Sequence, residues 1–363
     1  PRPRYHAREV ALELARLTGA TVILGSATPS LESVYNAQQG KYHLLKLPKR
    51  IDSRPLPQTI MIDLRKELRP KNEQQPELSS ISISPEKEIE PTKLISPLLQ
   101  QELKENFRRG NQAIIFLNRR GFAPSLICQN CGYCFVCPNC SVALTWHQKR
   151  TKQRISPVYG ELKSDSYLLC HYCGYHQPMP QHCPKCLSAD IRKLGMGTER
   201  VEEELKNILP QARIARMDRD TMGSRRAYFE LIQQMEIKAI DILVGTQMVA
   251  KGHDLAGVTL VGVLLADQSL NIPDFRSSER TFQLLTQVAG RAGRRDLPGK
   301  VIIQTFNPEH YSITCALAQD YWKFFEKELE LRKSLGYPPF SRLTLIRSSS
   351  LKIEDAEKSI REL

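Results

Sequence analysis

The sequence predicts an α/β protein, a parallel sheet covered by helices and interrupted by an inserted cysteine-rich metal module. Three observations carry this. Short apolar, β-branched runs alternate with amphipathic helical patterns over 96–117 and again over 199–306, the rhythm of strand–helix–strand crossovers. Nine of the ten cysteines lie between positions 128 and 186. The α/β rhythm flanks that cluster on both sides, so the module is an insertion into one domain.

The elements follow in order. Residues 7–17 have Val10, Leu14 and Leu17 at helical spacing. Residues 20–24 form a β-branched run ending at Gly25, the pattern of a buried parallel strand, with the loop Gly25-Ser-Ala-Thr-Pro-Ser30 after it. Residues 48–93 are rich in Pro, Ser, Glu and Lys and read as a linker or insertion, most plainly over 66–92. Ser96 as N-cap and Pro97 at the first helical position open a helix that presents Leu99, Leu103 and Phe107 on one face. Gly110 ends it, and a strand over 113–117 follows. Beyond the cysteine region, 122–196, the pattern gives helices at 199–208, 224–235 and 277–289, and strands at 213–216, 240–244, 259–265 and 300–306. One long helix is expected from Pro308 to about Leu335, then a turn and strand over 338–346, and a last helix over 354–363.

Lys and Arg outnumber Asp and Glu 52 to 39, a net charge of +13. That excess suits a polyanion such as nucleic acid, although charge alone leaves a merely basic surface open. No apolar run approaches the roughly 20 residues of a membrane helix. The amino-terminal residues hold no apolar signal core, so a cytoplasmic location without membrane contact is expected.

Eight cysteines form four pairs with two residues between: Cys128/Cys131, Cys137/Cys140, Cys170/Cys173 and Cys183/Cys186. This spacing lets both thiolates of a turn face one metal at about 2.3 Å, as tetrahedral zinc requires. Gly132 and Gly174 follow two of the pairs, and Pro138 and Pro184 sit inside the other two. Two zinc ions with four thiolates each make closed, structural sites. An iron–sulfur reading of Cys128, Cys131, Cys134 and Cys137 has a last gap of two residues instead of three and leaves five later cysteines in the region unexplained. Cys134 and Cys315 are then bystanders, and His147, His171, His176 and His182 are expected to be surface or structural groups. Spacing leaves the pairing open: first pair with second or first with fourth each gives one Gly-type and one Pro-type turn per site. Lys149, Arg150, Lys152 and Arg154 offer charge for DNA. Trp146, Tyr167 and Tyr172 suit either base stacking or a small core.

Three further segments carry a different chemistry: Gly25-Ser-Ala-Thr-Pro-Ser30, the run Ile242-Leu-Val-Gly-Thr-Gln-Met-Val-Ala-Lys-Gly-His-Asp254, and Gln287-Val-Ala-Gly-Arg-Ala-Gly-Arg294. Two arginines three apart, freed by glycines, suit planar guanidinium recognition of phosphate. These segments resemble motifs III, V and VI of superfamily-2 helicases. With Arg4-Tyr-His-Ala-Arg8, Gly197-Thr-Glu-Arg-Val201, Met217-Asp-Arg-Asp-Thr221, Asp274-Phe-Arg276, Tyr337-Pro-Pro-Phe340 and the cysteines inserted after Asn118-Arg-Arg-Gly121, the chain resembles the PriA-type primosomal helicases over nearly its whole length.

The resemblance implies two RecA-like lobes of P-loop NTPase type with ATP and Mg2+ between them. It divides the chain into the end of lobe 1 (1–47), a linker or insertion (48–93), lobe 2 (94–121 and 197–307), the zinc module (122–196) and the start of a truncated α+β carboxyl-terminal domain (308–363). It implies 3′-to-5′ unwinding of DNA at stalled forks, reloading of the replication machinery, and a bacterial, nucleoid-associated location. DNA, single-stranded-DNA-binding protein and other primosome proteins would be partners. Arg291 and Arg294 would act as arginine fingers on the phosphoryl-transfer transition state. Gln287, Gly252, Asp254 and Thr28 would belong to the nucleotide-binding set, Gly252 and Asp254 helping to couple nucleotide state to DNA grip and Thr28 relaying between the ATP and DNA sites. The implied zinc pairing is nested: Cys128, Cys131, Cys183 and Cys186 on one ion, Cys137, Cys140, Cys170 and Cys173 on the other. The sequence departs from the family in having no Gly-x-x-x-x-Gly-Lys-Ser/Thr loop and no Asp-Glu-x-His segment. Both are expected upstream of Pro1, which makes this chain a fragment that binds zinc and does not hydrolyse ATP alone. The alternative reading is a non-enzymatic zinc-ribbon module that binds nucleic acid.

Overall fold

A computed structural model describes residues 5–47, 56–67, 94–117, 125–139, 143–148, 166–171, 173–194, 197–218, 221–250, 255, 257–272, 274–293, 298–344, 346, 348, 350 and 353–362. In chain order its elements are α1 (Ala7–Thr18), α2 (Leu31–Gln38), β1 (Gln58–Asp63), α3 (Leu64–Glu67), α4 (Pro97–Arg108), β2 (Gln112–Leu117), β3 (Ser125–Cys128), β4 (Thr145–Gln148), β5 (Ser166–Leu169), β6 (His176–Pro178) and β7 (Ile191–Leu194). They continue with α5 (Thr198–Ile208), β8 (Ile214–Met217), α6 (Arg225–Glu236), β9 (Ile242–Gly245), α7 (Gln247–Ala250), β10 (Val258–Leu264), α8 (Ser277–Ala289), β11 (Lys300–Thr305), α9 (Tyr311–Leu317), α10 (Tyr321–Ser334) and α11 (Ile353–Arg361). The chain divides into two compact units, one of residues 1–47 and 329–363 and one of residues 48–328.

The larger unit holds a six-stranded sheet of order β1-β11-β10-β2-β9-β8, parallel throughout. Every residue of the central strands β2 and β10 is buried. Helices cover both faces of such a strand, so it reads as a continuous apolar run. Ala113, Ile115 and Leu117 share one core with Leu99 and Leu103 of α4 and Val201 and Leu205 of α5. Ile114 and Phe116, equally buried, point to the opposite face by the two-residue period of a strand. Helix α8 buries Phe282, Leu285 and Val288, and Phe282 stacks on Phe324 with centroids 4.3 Å apart. Ser96 caps α4 through the Leu99 N–H at 3.3 Å, with Pro97 in the first turn.

The inserted module is a separate five-stranded antiparallel sheet of order β6-β5-β4-β3-β7. Its small core is Leu126, Phe135, Cys137, Leu144, Leu168, Cys170 and Ile191, with Tyr133, Trp146, Tyr175 and Met179 packed against it. Trp146 therefore contributes to the module's core.

Four stretches differ from the sequence reading. Residues 58–63, inside the stretch read as linker, form β1 and pair with β11 from Gln58↔Lys300 to Asp63↔Thr305. A short apolar run was masked by the polar residues around it; Ile62 and Leu64 are buried all the same. Leu64–Glu67 of that stretch form α3, and 48–55 and 68–93 lie outside the described residues. Residues 20–24 form no strand, and Ile23 is 90% exposed. A parallel strand needs neighbours, and none of the described strands belongs to that unit. The long helix expected after Pro308 is two, α9 and α10. Gln319 breaks it with φ 51°, and the Asp320 carboxylate accepts the Lys323 N–H at 3.0 Å, an N-cap that restarts the helix. The described residues of 338–346 form no strand.

In the smaller unit, α2 is capped by Ser30, whose hydroxyl accepts the Ser33 N–H at 3.2 Å. Arg8 donates to the Ser30 and Ser33 hydroxyls. The Arg332 guanidinium, 2% exposed, pairs with Glu32 at 3.5 Å and donates to the Pro338 carbonyl at 3.4 Å. Tyr35 and Phe340 meet edge to face at 5.2 Å. Helix α1 forms as expected, but it buries no residue. Among the described residues, no helix is long and apolar enough to cross a membrane.

Candidate metal centre and arginine turn

The cysteine turns share a local pattern. In the first, the Cys128 N–H donates to the Tyr133 carbonyl and the Gly132 N–H to the Cys128 carbonyl, both at 2.9 Å. In the third, Cys170 donates to Tyr175 at 2.7 Å and Gly174 to Cys170 at 2.9 Å. The fourth repeats it with Cys183, Ser188 and Leu187, each bond 2.9 Å. This wrap turns the backbone through a left-handed residue, with φ 72° at Gly132, 76° at Gly174 and 60° at Leu187. It leaves the two thiols of each pair on the same side.

The turns meet in two groups. The sulfurs of Cys128, Cys131, Cys183 and Cys186 all lie within 4.8 Å of one another, and so do those of Cys137, Cys170 and Cys173. Cys140 lies outside the described residues. Cys128 and Cys186 are 3.5 Å apart, Cys131 and Cys183 3.6 Å, and Cys137 and Cys173 3.6 Å. A tetrahedron of sulfurs at about 2.3 Å from zinc has edges of about 3.8 Å, so these separations fit ligands around one ion. The described cysteines are free rather than bonded in disulfides. Burial pushes the Cys128 and Cys131 thiols up. At Cys186 burial acts the same way, but the Ser188 N–H and the neighbouring thiols outweigh it and bring that thiol down to about 7. Buried thiols gathered this closely are costly to ionise without a cation, and a zinc ion supplies the charge that lets them do so.

Two asparagines complete the shell. Asn130 donates to the Cys186 sulfur at 3.7 Å, and Asn139 to Cys173 at 3.9 Å. Each stands between the cysteines of one turn and reaches a sulfur of the facing turn. The repeated Cys-x-Asn-Cys of the first two pairs was a signal for this. Gly132 also anchors the module: a Cβ there would lie 2.8 Å from the Phe306 carbonyl oxygen. The Phe306 N–H and the Thr305 hydroxyl donate to Asp267, at 3.1 and 2.7 Å. Burial raises the Asp267 carboxyl above its ordinary range, partly offset by those bonds. Nothing in the sequence marked Asp267 as a support for this seat.

The arginine segment ends α8 at the opposite end of the sheet. The Gly293 N–H donates to the Val258 carbonyl at the start of β10, at 3.1 Å. Gly299 lies so close behind that a Cβ on it would be 2.4 Å from the Ala292 carbonyl carbon. The turn therefore sits beside Val258, four residues beyond the Ile242–Asp254 run. Gln287 is exposed and Arg291 half-buried, one helical turn apart. Arg294, Gly252 and Asp254 lie outside the described residues. Thr28, in the smaller unit, is buried, and its N–H donates to the Ser26 hydroxyl at 3.1 Å.

The geometry is thus that of a parallel α/β lobe with a glycine-framed arginine turn at one end, into which a cysteine module with two close-set groups of thiols is inserted after β2. The PriA DNA helicase Cys-rich region (CRR) domain family matches residues 137–154 and 163–178. The chain is 44% identical over 98% of its length to the Bacillus subtilis replication restart protein PriA, and covers 40% of that protein. It is 40% identical to the Synechocystis replication restart protein PriA over 99% of its length, covering 40% of that protein. Among solved structures, Saccharomyces cerevisiae Dbp5 bound to RNA and ADP BeF3 overlaps 90% of this chain and 58% of its own at 10% identity and a TM-score of 0.40, too slight a likeness to weigh. The chain belongs to the PriA family. It spans about 40% of the length of these relatives.

Proposed function

We propose that this chain is part of an ATP-dependent 3′-to-5′ DNA helicase that acts in replication restart. Residues 94–121 and 197–307, with β1, make its second motor lobe, and residues 122–196 its two-zinc module. Residues 1–47 belong to the first lobe and 308–363 to a carboxyl-terminal domain. The observation that carries this reading is the 44% identity across 98% of the chain with a replication restart protein. The arginine turn supports it. Arg291 and Arg294, with Gln287, Gly252, Asp254 and Thr28, would serve ATP and Mg2+ held between the lobes, the arginines stabilising charge on the transferred phosphoryl group. Cys128, Cys131, Cys183 and Cys186 would hold one zinc, and Cys137, Cys140, Cys170 and Cys173 the other. Forked and single-stranded DNA, single-stranded-DNA-binding protein and other primosome proteins would be the partners.

The test is a chimera in which this chain replaces its counterpart in the Bacillus subtilis relative. Single-stranded DNA should stimulate its ATP hydrolysis. Arg291→Ala should lower that rate about a thousandfold, the scale of an arginine finger, while zinc content and DNA binding persist. The unfused chain, which has no phosphate loop in its sequence, should show no ATPase activity. A zinc-loaded, DNA-binding chimera whose hydrolysis ignores Arg291→Ala would overturn the arginine's role. A folded chimera that binds DNA and never hydrolyses ATP would favour a non-enzymatic nucleic-acid module.

A further inference from the structure

Two imidazoles of the module face each other outside the thiolate groups. His147 stands on β4 opposite Tyr167 of β5 and stacks on its ring, with centroids 5.4 Å apart and planes at 20°. His171 follows Cys170 in the third cysteine turn, whose backbone bonds fix its position. The two Nε2 atoms are 3.1 Å apart, and the ring centroids 5.0 Å apart with planes at 62°. The rings thus meet with their nitrogens leading. His147 is partly buried and His171 exposed. Neither belongs to the close-set groups of thiolate ligands among the described residues.

Two nitrogens on a tetrahedral zinc, each at about 2.0–2.1 Å, lie about 3.3 Å apart. The observed spacing is close to that edge. Two imidazole lone pairs this near repel unless a proton or a cation lies between them. The His147 ring is held by its strand and a stacked tyrosine, and the His171 backbone lies in a hydrogen-bonded turn, so part of the ordering cost of binding is already met.

We propose that His147 and His171 form a third metal site, taking one divalent transition-metal ion such as zinc through their two Nε2 atoms, with water in the remaining positions. With two neutral ligands instead of four thiolates, the ion is held more weakly than at the cysteine sites and exchanges with solvent.

The chain carrying two zincs, verified by metal analysis, is titrated with Zn2+ by calorimetry. One further equivalent should bind, and His147→Gln, which lies outside the cysteine turns, should weaken that step at least tenfold with the first two zincs retained. Long-range 1H–15N spectra of the unaltered chain give a readout that needs no variant: the Nε2 resonances of both histidines should shift together with the third equivalent. Absence of a third equivalent overturns the proposal. So does a third equivalent that binds His147→Gln unchanged, or one that leaves both Nε2 resonances where they were, which would mean that the rings share only a hydrogen bond. If His147→Gln also loses the first two zincs, the spectra of the unaltered chain decide.

Discussion

The parallel lobe and the module inserted into it are both sheets, but different forces hold them. The lobe buries whole strands: every residue of β2 and β10 is inside, under helices on both faces. Among the described residues, the module's core has seven buried residues, two of them cysteines. A core that small cannot offset the entropy of ordering its turns. Its fold therefore depends on what the sulfurs bind, whereas the lobe's depends on the area it removes from water.

Metal removal gives the largest expected effect. Structural zinc contributes on the order of 10–16 kcal/mol at pH 7, more than a module of this size gains from burial. Chelation should abolish hydrogen-exchange protection in β3, β4, β5 and β7, and Cys128→Ser at least in β3 and β7, with protection in β2 and β10 kept. If the lobe strands lose protection with the module, the two regions are not held separately. Cys128→Ser also asks whether the two metal groups fold together: loss of both zincs means that they do, loss of one that they are independent.

The converse experiment acts on the lobe. Phe116 is fully buried in β2. Phe116→Ala should cost about 3–5 kcal/mol in denaturant unfolding of the lobe, with the zinc stoichiometry of the folded chain unchanged. A fall in zinc content that tracks the loss of stability would merge the two regions into one cooperative unit.

Legibility in the sequence divides along the same line. The lobe's strands and helices were readable because burial writes a period into the chain: Leu99 and Leu103 recur on one face of α4, and β2 is apolar throughout. The candidate ligands were readable because a metal site writes a spacing. What escaped depends on neighbours rather than on local pattern. Residues 58–63 became a strand because β11 offered an edge, and 20–24 did not because no described strand accompanies them. The grouping of cysteine pairs was open to spacing, since both arrangements use the same turns, and only the meeting of sulfurs in space distinguishes them. Leu187 was invisible because its left-handed backbone is not marked by a glycine. Asp320, which splits the expected long helix, was a legible cap that the apolar pattern around it obscured.

A smaller effect belongs to the asparagines. Asn130 and Asn139 each give a hydrogen bond to a sulfur of the facing turn. Such outer contacts typically change metal affinity 10- to 100-fold. Competition with a chelating dye should find weaker zinc in Asn139→Ala, with Asn139→Asp weaker still because it sets a carboxylate against thiolates. Equal affinity in all three proteins would leave the cysteines as the sole determinants of binding.

The smallest effect is the most pointed, because it should strengthen the weaker region. Leu187 holds φ 60° where the first and third turns have glycine, and its side chain is 76% exposed. A left-handed conformation costs a non-glycine residue about 1–2 kcal/mol, and so exposed a leucine recovers little of that through burial. Leu187→Gly removes this strain but gives the unfolded chain more freedom, worth about 0.4–1 kcal/mol. The balance is a net gain of about 0.5–1 kcal/mol, which through coupled folding should appear as zinc affinity raised two- to fivefold. Leu187→Asn, with its better tolerance of the left-handed region, should fall between. If Leu187→Gly instead binds zinc more weakly, that exposed leucine is contributing a contact, and the fourth turn differs from the first and third in more than its strain.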